Sequence, residues 1–121
     1  MSGTFATSIS CIDGRVQEPL RTWIRERYGV DHVDVISEPG VDGHIGGAEA
    51  ALRAKAEISV RAHSSRGIVV SGHHDCAANP ASEGEHLEMI RRAVSTVSSW
   101  NLGPEVAGAW VDGSWGVTPV S

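Results

Sequence analysis

Short β-branched runs alternate with amphipathic stretches along the chain. Phe5 to Ser10 reads as a strand that ends at Cys11. Pro19 suits the first turn of a helix, Leu20, Trp23, Ile24, Arg27 and Tyr28 follow at helical spacing, and Gly29 supplies the stop. Val33 to Ile36 predicts a second strand, broken by Glu38-Pro39-Gly40. Ala48 to His63 predicts a second helix, with Ala48, Ala51, Leu52, Lys55 and Ala56 at helical spacing. Ile68-Val69-Val70, ending in Ser71-Gly72, reads as a central, buried third strand. Ser82 and Glu85 form a capping box ahead of a third helix that places Leu87, Ile90, Val94 and Val97 on one face. Val106 to Val111, the turn signal Asp112-Gly113 and Trp115 to Val120 predict a closing hairpin.

This β-α-β-α-β-α-β-β order predicts an α/β fold. Its sheet is mostly parallel, flanked by helices, with an antiparallel hairpin at one edge. No repeat, linker or low-complexity tract divides residues 1–121, so a single domain is expected. In such sheets ligands sit outside the carboxyl ends of the strands.

Composition narrows the classes. Apolar residues at 40% and charged residues at 21% are ordinary for a globular protein, and no apolar run reaches the ~18–20 residues of a membrane span. Met1 to Ser10 lacks the basic and apolar regions of a signal peptide, which leads us to expect a cytoplasmic protein with no membrane partner. The formal charge is −5, the basic residues are scattered, and Phe and Tyr occur once each. A nucleic-acid binder shows a basic stripe with interleaved aromatics, so nucleic acid is excluded as the expected partner. In a reducing compartment the two cysteines, Cys11 and Cys76, are expected as free thiols.

Both cysteines lie in reactive company at strand ends: Cys11-Ile12-Asp13-Gly14-Arg15 and Gly72-His73-His74-Asp75-Cys76. If the first and third strands are neighbours, Cys11, His73 and Cys76 present two thiolates and one imidazole to a single ion. That donor set suits zinc and leaves its fourth position for water or substrate. Asp13 could fill that position or orient a water there. Asp13 and Arg15, two apart, share a face in an extended segment, where an ion pair would hold Asp13 off the metal.

The motifs Cys-x-Asp-x-Arg after the first strand and Gly-His-x-x-Cys after the third resemble those of the β-class carbonic anhydrases. The resemblance implies an α/β fold usually built on a dimer, one zinc per chain on Cys11, His73 and Cys76, and an Asp–Arg dyad at Asp13 and Arg15. It implies reversible hydration of CO2 to bicarbonate, with zinc lowering the pKa of a water so that hydroxide attacks carbon. A homodimer or higher homo-oligomer is the expected assembly, consistent with a sheet that ends in an open edge.

The chain also departs from the family. It starts almost directly with its first strand, where members usually carry long N-terminal helices. Ser37 to Gly43 stands where many have an Arg-Asn-Ala-Gly-Asn-like segment, and Ala77 follows the second zinc-binding cysteine where Gly is usual. The altered loop motivates a second reading, a hydrolase of carbonyl sulfide or carbon disulfide. A third is a non-catalytic zinc protein closed by Asp13.

His74, Asp75, His44 and Glu38 are candidates for proton transfer to solvent. His32, His63 and His86 read as surface residues. Trp23 and Trp100 fit helix faces, and Trp110 and Trp115 fit packing around the hairpin turn. Gly43 to Gly47 lacks the Lys-Ser/Thr of a phosphate loop.

Overall fold

The central strand of the fold is its most apolar segment. A computed structural model describes residues 3–121. β3 (Gly67–His73) is buried at every position and has a parallel neighbour on each side, as a continuous apolar run predicts. β1 (Phe5–Ser10) lies on one flank and β4 (Glu105–Val111) on the other. β2 (His32–Ser37) pairs outside β1, and β5 (Val117–Val120) runs antiparallel to β4, giving the order β2-β1-β3-β4-β5. The expected α/β architecture, with one antiparallel edge, is the observed one.

Alternation along β3 divides the core between two faces. Ile68 and Val70 point with Ile9 into a cluster built by α3 (Glu49–His63) and α4 (Glu83–Ser98). Val69 points the other way with Ala6, Ala109 and Val111, against Leu20 and Ile24 of α1 (Gln17–Tyr28). Gly29 ends α1 in the left-handed region at φ 61°, its N–H closing on the Arg25 carbonyl. The capping box at α4 is present in both halves: Ser82 accepts from the Glu85 N–H, and Glu85 accepts from the Ser82 N–H.

Several local expectations need correction. α3 buries Leu52, Ala56 and Ser59, while Ala51 and Lys55 face solvent. A short α2 (Val41–His44) and a 3-10 turn (Ile45–Gly47) occupy the stretch where no element was expected. The last strand begins at Val117 and not at Trp115. The Asp112 side chain accepts the N–H groups of Ser114 and Gly116 and builds a wider loop, in which Trp115 takes φ 62°. His86 is the largest misreading. It is 1% exposed, inside the α4 contact with the sheet, where its Nδ1 meets Asp42 at 2.5 Å. His63 is half-buried and its Nδ1 hydrogen-bonds Asp34 at 2.6 Å, whereas His32 is exposed. No described helix is long and apolar enough to cross a membrane.

Candidate metal centre

Register brings the two cysteine clusters together. Thr7, Ser8 and Ile9 of β1 face Ile68, Val69 and Val70 of β3 in parallel, so both chains leave the sheet side by side. Cys11 directly follows β1, His73 ends β3, and Cys76 lies in the turn beyond. Gln17, at the start of α1, donates to the Cys11 carbonyl at 2.9 Å and pins the exit of β1. Asp75 adopts φ 57°, reversing the chain so that His73 and Cys76 aim the same way.

The result is a compact donor set. One atom from each of Cys11, His73 and Cys76 lies within 4.8 Å of the others, and all three residues are buried. The two sulfurs are 3.9 Å apart. Two sulfurs each ~2.3 Å from a tetrahedral zinc would be about 3.8 Å apart, so the spacing fits that ion. His73 Nδ1 donates to the His74 carbonyl at 2.7 Å, which assigns the proton and leaves Nε2 as the lone-pair nitrogen. That Nε2 is buried and meets no hydrogen-bonding partner, an arrangement that is unfavourable unless a ligand uses it. The Gly40 N–H donates to Cys11 Sγ at 3.3 Å. Burial pushes the Cys76 thiol up, the Asn79 N–H opposes this, and the adjacent Cys11 pushes it up further.

Asp13 and Arg15 form the expected pair, although the segment between them is not extended. Asp13 caps a 3-10 turn (Gly14–Val16), accepting the Arg15 N–H at 2.9 Å. The guanidinium adds a forked contact, with Nη2 2.7 Å from Oδ2 and Nε 3.1 Å from Oδ1. Hydrogen bonding from Arg15 holds the Asp13 carboxyl down at about 2, well below the usual carboxylate range. Asp13 Oδ2 lies 3.9 Å from His73 Nε2, at the edge of the donor set.

Arg15 also ties the two clusters together. It reaches the Asp75 carboxylate at 3.2 Å and the Asp75 carbonyl at 3.1 Å, and Asp13 and Asp75 together hold its pKa above the usual value. The Trp115 ring lies under the guanidinium, 4.7 Å from ring centroid to Cζ. Trp115 thus packs on a site residue in addition to the turn.

The other candidates divide. Asp75 joins the site through Arg15. His74 is exposed with its ring against Gly113, and His44 is exposed with its ring nitrogen 3.2 Å from the Ala78 carbonyl. Glu38 anchors the loop through its backbone N–H to the Ser10 carbonyl. Asp42, Asn79 and His86, which drew no notice as site residues in the sequence, form a hydrogen-bonded group, with Asp42 and His86 buried and Asn79 partly exposed. None carries a signal in the sequence: Asp42 and Asn79 fall outside the expected elements, and His86 reads as a surface residue.

Known proteins give the geometry a context. Residues 1–121 match the family model described as "Putative carbonic anhydrase". Among solved structures, a carbonic anhydrase from Streptococcus mutans superposes with TM-score 0.67 at 18% identity, over 95% of this chain and 81% of that one. A carbon disulfide hydrolase, solved in its apo form, superposes with TM-score 0.66 at 13% identity, over 100% of this chain and 81% of that one. One of two tetrameric β-carbonic anhydrases from Sordaria macrospora gives TM-score 0.56 at 16% identity, over 100% and 82%. At these identities the likeness is one of fold. No curated protein matches the sequence. The family model spans the chain from end to end and its fold is that of the β-carbonic anhydrases, and on that ground the chain belongs to this carbonic anhydrase family.

Proposed function

We propose that the protein catalyses the reversible hydration of CO2 to bicarbonate, with one zinc ion held by Cys11, His73 and Cys76. The observation that carries this reading is the donor set itself: two sulfurs at tetrahedral spacing beside a buried imidazole nitrogen that has no other partner. When bound, zinc supplies a Lewis acid that makes water nucleophilic near neutral pH. Two thiolates neutralise much of the ion's charge, so an orienting acceptor matters more than in an all-histidine site.

Asp13 fills that role. Both its oxygens engage Arg15, which keeps the carboxylate ionised and directed, and draws it away from acting as a fourth ligand. This favours an open coordination position over a site closed by Asp13. Arg15 also links the two ligand-bearing loops through Asp75, so the acceptor and the metal ligands move as one unit. The reduced thiols of Cys11 and Cys76 suit a cytoplasmic location.

A second reading is favoured by two observations: the carbon disulfide hydrolase shares the fold, and the Ser37–Gly43 loop leads into α2 beside Cys11. On that reading the same residues act on carbonyl sulfide or carbon disulfide. The assembly proposed for either activity is a homodimer or higher homo-oligomer, because among the described residues β2 pairs with β1 alone and leaves Val35 exposed at the sheet's edge. Light scattering giving a monomer mass at working concentration would remove the oligomer.

Stopped-flow CO2 hydration on protein of known zinc occupancy tests the function, from about pH 6.5 to about pH 9. The expected rate scales with zinc and rises with pH. No hydration at full occupancy refutes the first reading, and turnover of carbon disulfide by the same sample then establishes the second.

A further inference from the structure

The mechanism above leaves one buried ionisable group without a task. Asp42 is 5% exposed and His86 is 1% exposed, with His86 Nδ1 2.5 Å from Asp42 Oδ2. Taking such polar groups out of water is expensive unless they are hydrogen-bonded, and the bond by itself is weak evidence for stability. Its place in the fold shows what it organises. Asp42 belongs to α2, which starts at Gly40, and the Gly40 N–H donates to Cys11 Sγ. The second carboxylate oxygen of Asp42 accepts from Asn79 Nδ2 at 3.0 Å. Asn79 lies in the loop that follows Cys76, three residues beyond that sulfur.

The segment that donates to Cys11 and the loop after Cys76 also touch. A Cβ placed on Gly40 would sit 2.8 Å from Asn79 Cβ and 3.2 Å from the Ala78 carbonyl carbon, so only glycine permits this approach. Gly72, the neighbour of His73, leaves room for the carboxylate on the other side. One buried carboxylate therefore joins three segments: the one donating to Cys11, the loop that follows Cys76, and α4 through His86.

We infer that Asp42 and Asn79, anchored by His86, are positioning residues that hold the Gly40 N–H on Cys11 Sγ and fix the loop carrying Cys76 against it, and thereby set the metal affinity of the centre. Hydrogen bonds to a thiolate stabilise its charge, and partners behind metal ligands commonly govern affinity and spectroscopy. The inference rests on the reading that Cys11, His73 and Cys76 hold zinc, and does not depend on which substrate is turned over.

The test uses the whole chain with Asn79→Ala and Asp42→Asn. Zinc affinity is measured by competition with a chromophoric chelator, and the cobalt(II)-loaded proteins are compared through their thiolate-to-metal charge-transfer band. Melting of the metal-free proteins reports packing separately. Both variants are expected to lose about 10- to 100-fold in zinc affinity and to shift the cobalt–thiolate band. Asn79→Ala leaves one oxygen of the buried Asp42 carboxylate without its donor, so the metal-free variant is expected to melt lower than wild type, and the zinc affinity and cobalt band, not the melting temperature, decide. Unchanged affinity and an unchanged band, with only a lower melting temperature, would overturn the inference and leave Asp42 a packing residue. If Asp42→Asn fails to fold, Asn79→Ala decides alone. Wild-type protein that binds zinc without hydrating CO2 defeats the activity reading and leaves this one standing. Wild-type protein that binds neither zinc nor cobalt at the three ligands overturns both.

Discussion

Gly72→Ala is a small change with a large expected effect. Gly72 sits on β3 between the strand core and His73, and a Cβ there would lie 2.3 Å from Asp42 Oδ2 and 3.1 Å from Ile90 Cδ1. Ordinary contact begins at 3.4 Å, so the carboxylate would have to retreat by about 1 Å. Asp42 has no such freedom, because His86 and Asn79 hold its two oxygens and the residue is 5% exposed. Overpacking a tight interior costs about 1–3 kcal/mol. Partial loss of partners for a buried charge adds to this, since complete removal of one partner costs about 3–5 kcal/mol. Replacing glycine within a strand returns roughly 0.5–1 kcal/mol of backbone entropy. The expected net destabilisation is about 2–4 kcal/mol, within the ~5–15 kcal/mol of a typical domain, so the variant still folds. Urea unfolding followed by circular dichroism should show a midpoint lower by about 1–2 M at unchanged slope. Gly46→Ala is the control: nothing lies within 4 Å of its Cβ position, and its stability should stay within about 0.5 kcal/mol of wild type. A Gly72→Ala protein that loses less than about 1 kcal/mol would refute the claim that Asp42 is locked against β3.

Three further outcomes follow from other parts of the molecule. Ser82→Ala removes the acceptor for the Glu85 N–H and should lower stability by about 1 kcal/mol in the same urea assay. Glu105 is held below the usual carboxylate range chiefly by its hydrogen bond from Arg27, so its contribution is present above the unfolded value near 4.5 and is lost as pH falls through the lowered one. The stability gap between wild type and Glu105→Gln should accordingly be constant at neutral pH and close below pH 4.5, as read by thermal melts across acid pH. Trp115→Ala withdraws the ring beneath Arg15 and should slow CO2 hydration by roughly 2- to 5-fold with zinc content unchanged. Trp115→Phe should recover part of that loss, and equal rates in all three proteins would show that the ring does not hold Arg15.

Periodicity made the strands and long helices legible because their burial is one-sided or complete. Ile68-Val69-Val70 could only be central, and Leu20, Ile24, Ile90 and Val97 are buried where helical spacing placed them. Long-range polar contacts left no such trace. His63 reads as a surface residue in sequence, and α3 packing beside β2 joins it to Asp34. α2 escaped notice because it is four residues long and enters through Gly40 at φ 58°, a conformation that carries no apolar period. Trp115 looks like a strand residue in sequence, and the Asp112 side chain overrides that preference by capping the loop.

The candidate site was legible to the depth of the Cys11, His73 and Cys76 donor set, and there is a physical reason for the boundary. Cys11, His73 and Cys76 must meet wherever β1 and β3 are parallel neighbours, since both motifs directly follow their strands and the register aligns the exits. Asp13 and Arg15 are local to each other, so their pairing depends on one turn and not on the tertiary fold. The residues behind the ligands lack both properties. Asp42 and His86 are separated by 44 positions, and Asp42 and Asn79 by 37. Their contact depends on how α4 crosses the sheet, which hydrophobic spacing sets only to within a helical face. A polar residue such as His86, in a helix whose buried face includes Ile90, Ala93 and Val97, was therefore assigned to solvent by default. The buried Asp42 that faces it reverses that assignment, because a carboxylate enclosed beside Gly72 needs a donor and α4 supplies one in His86.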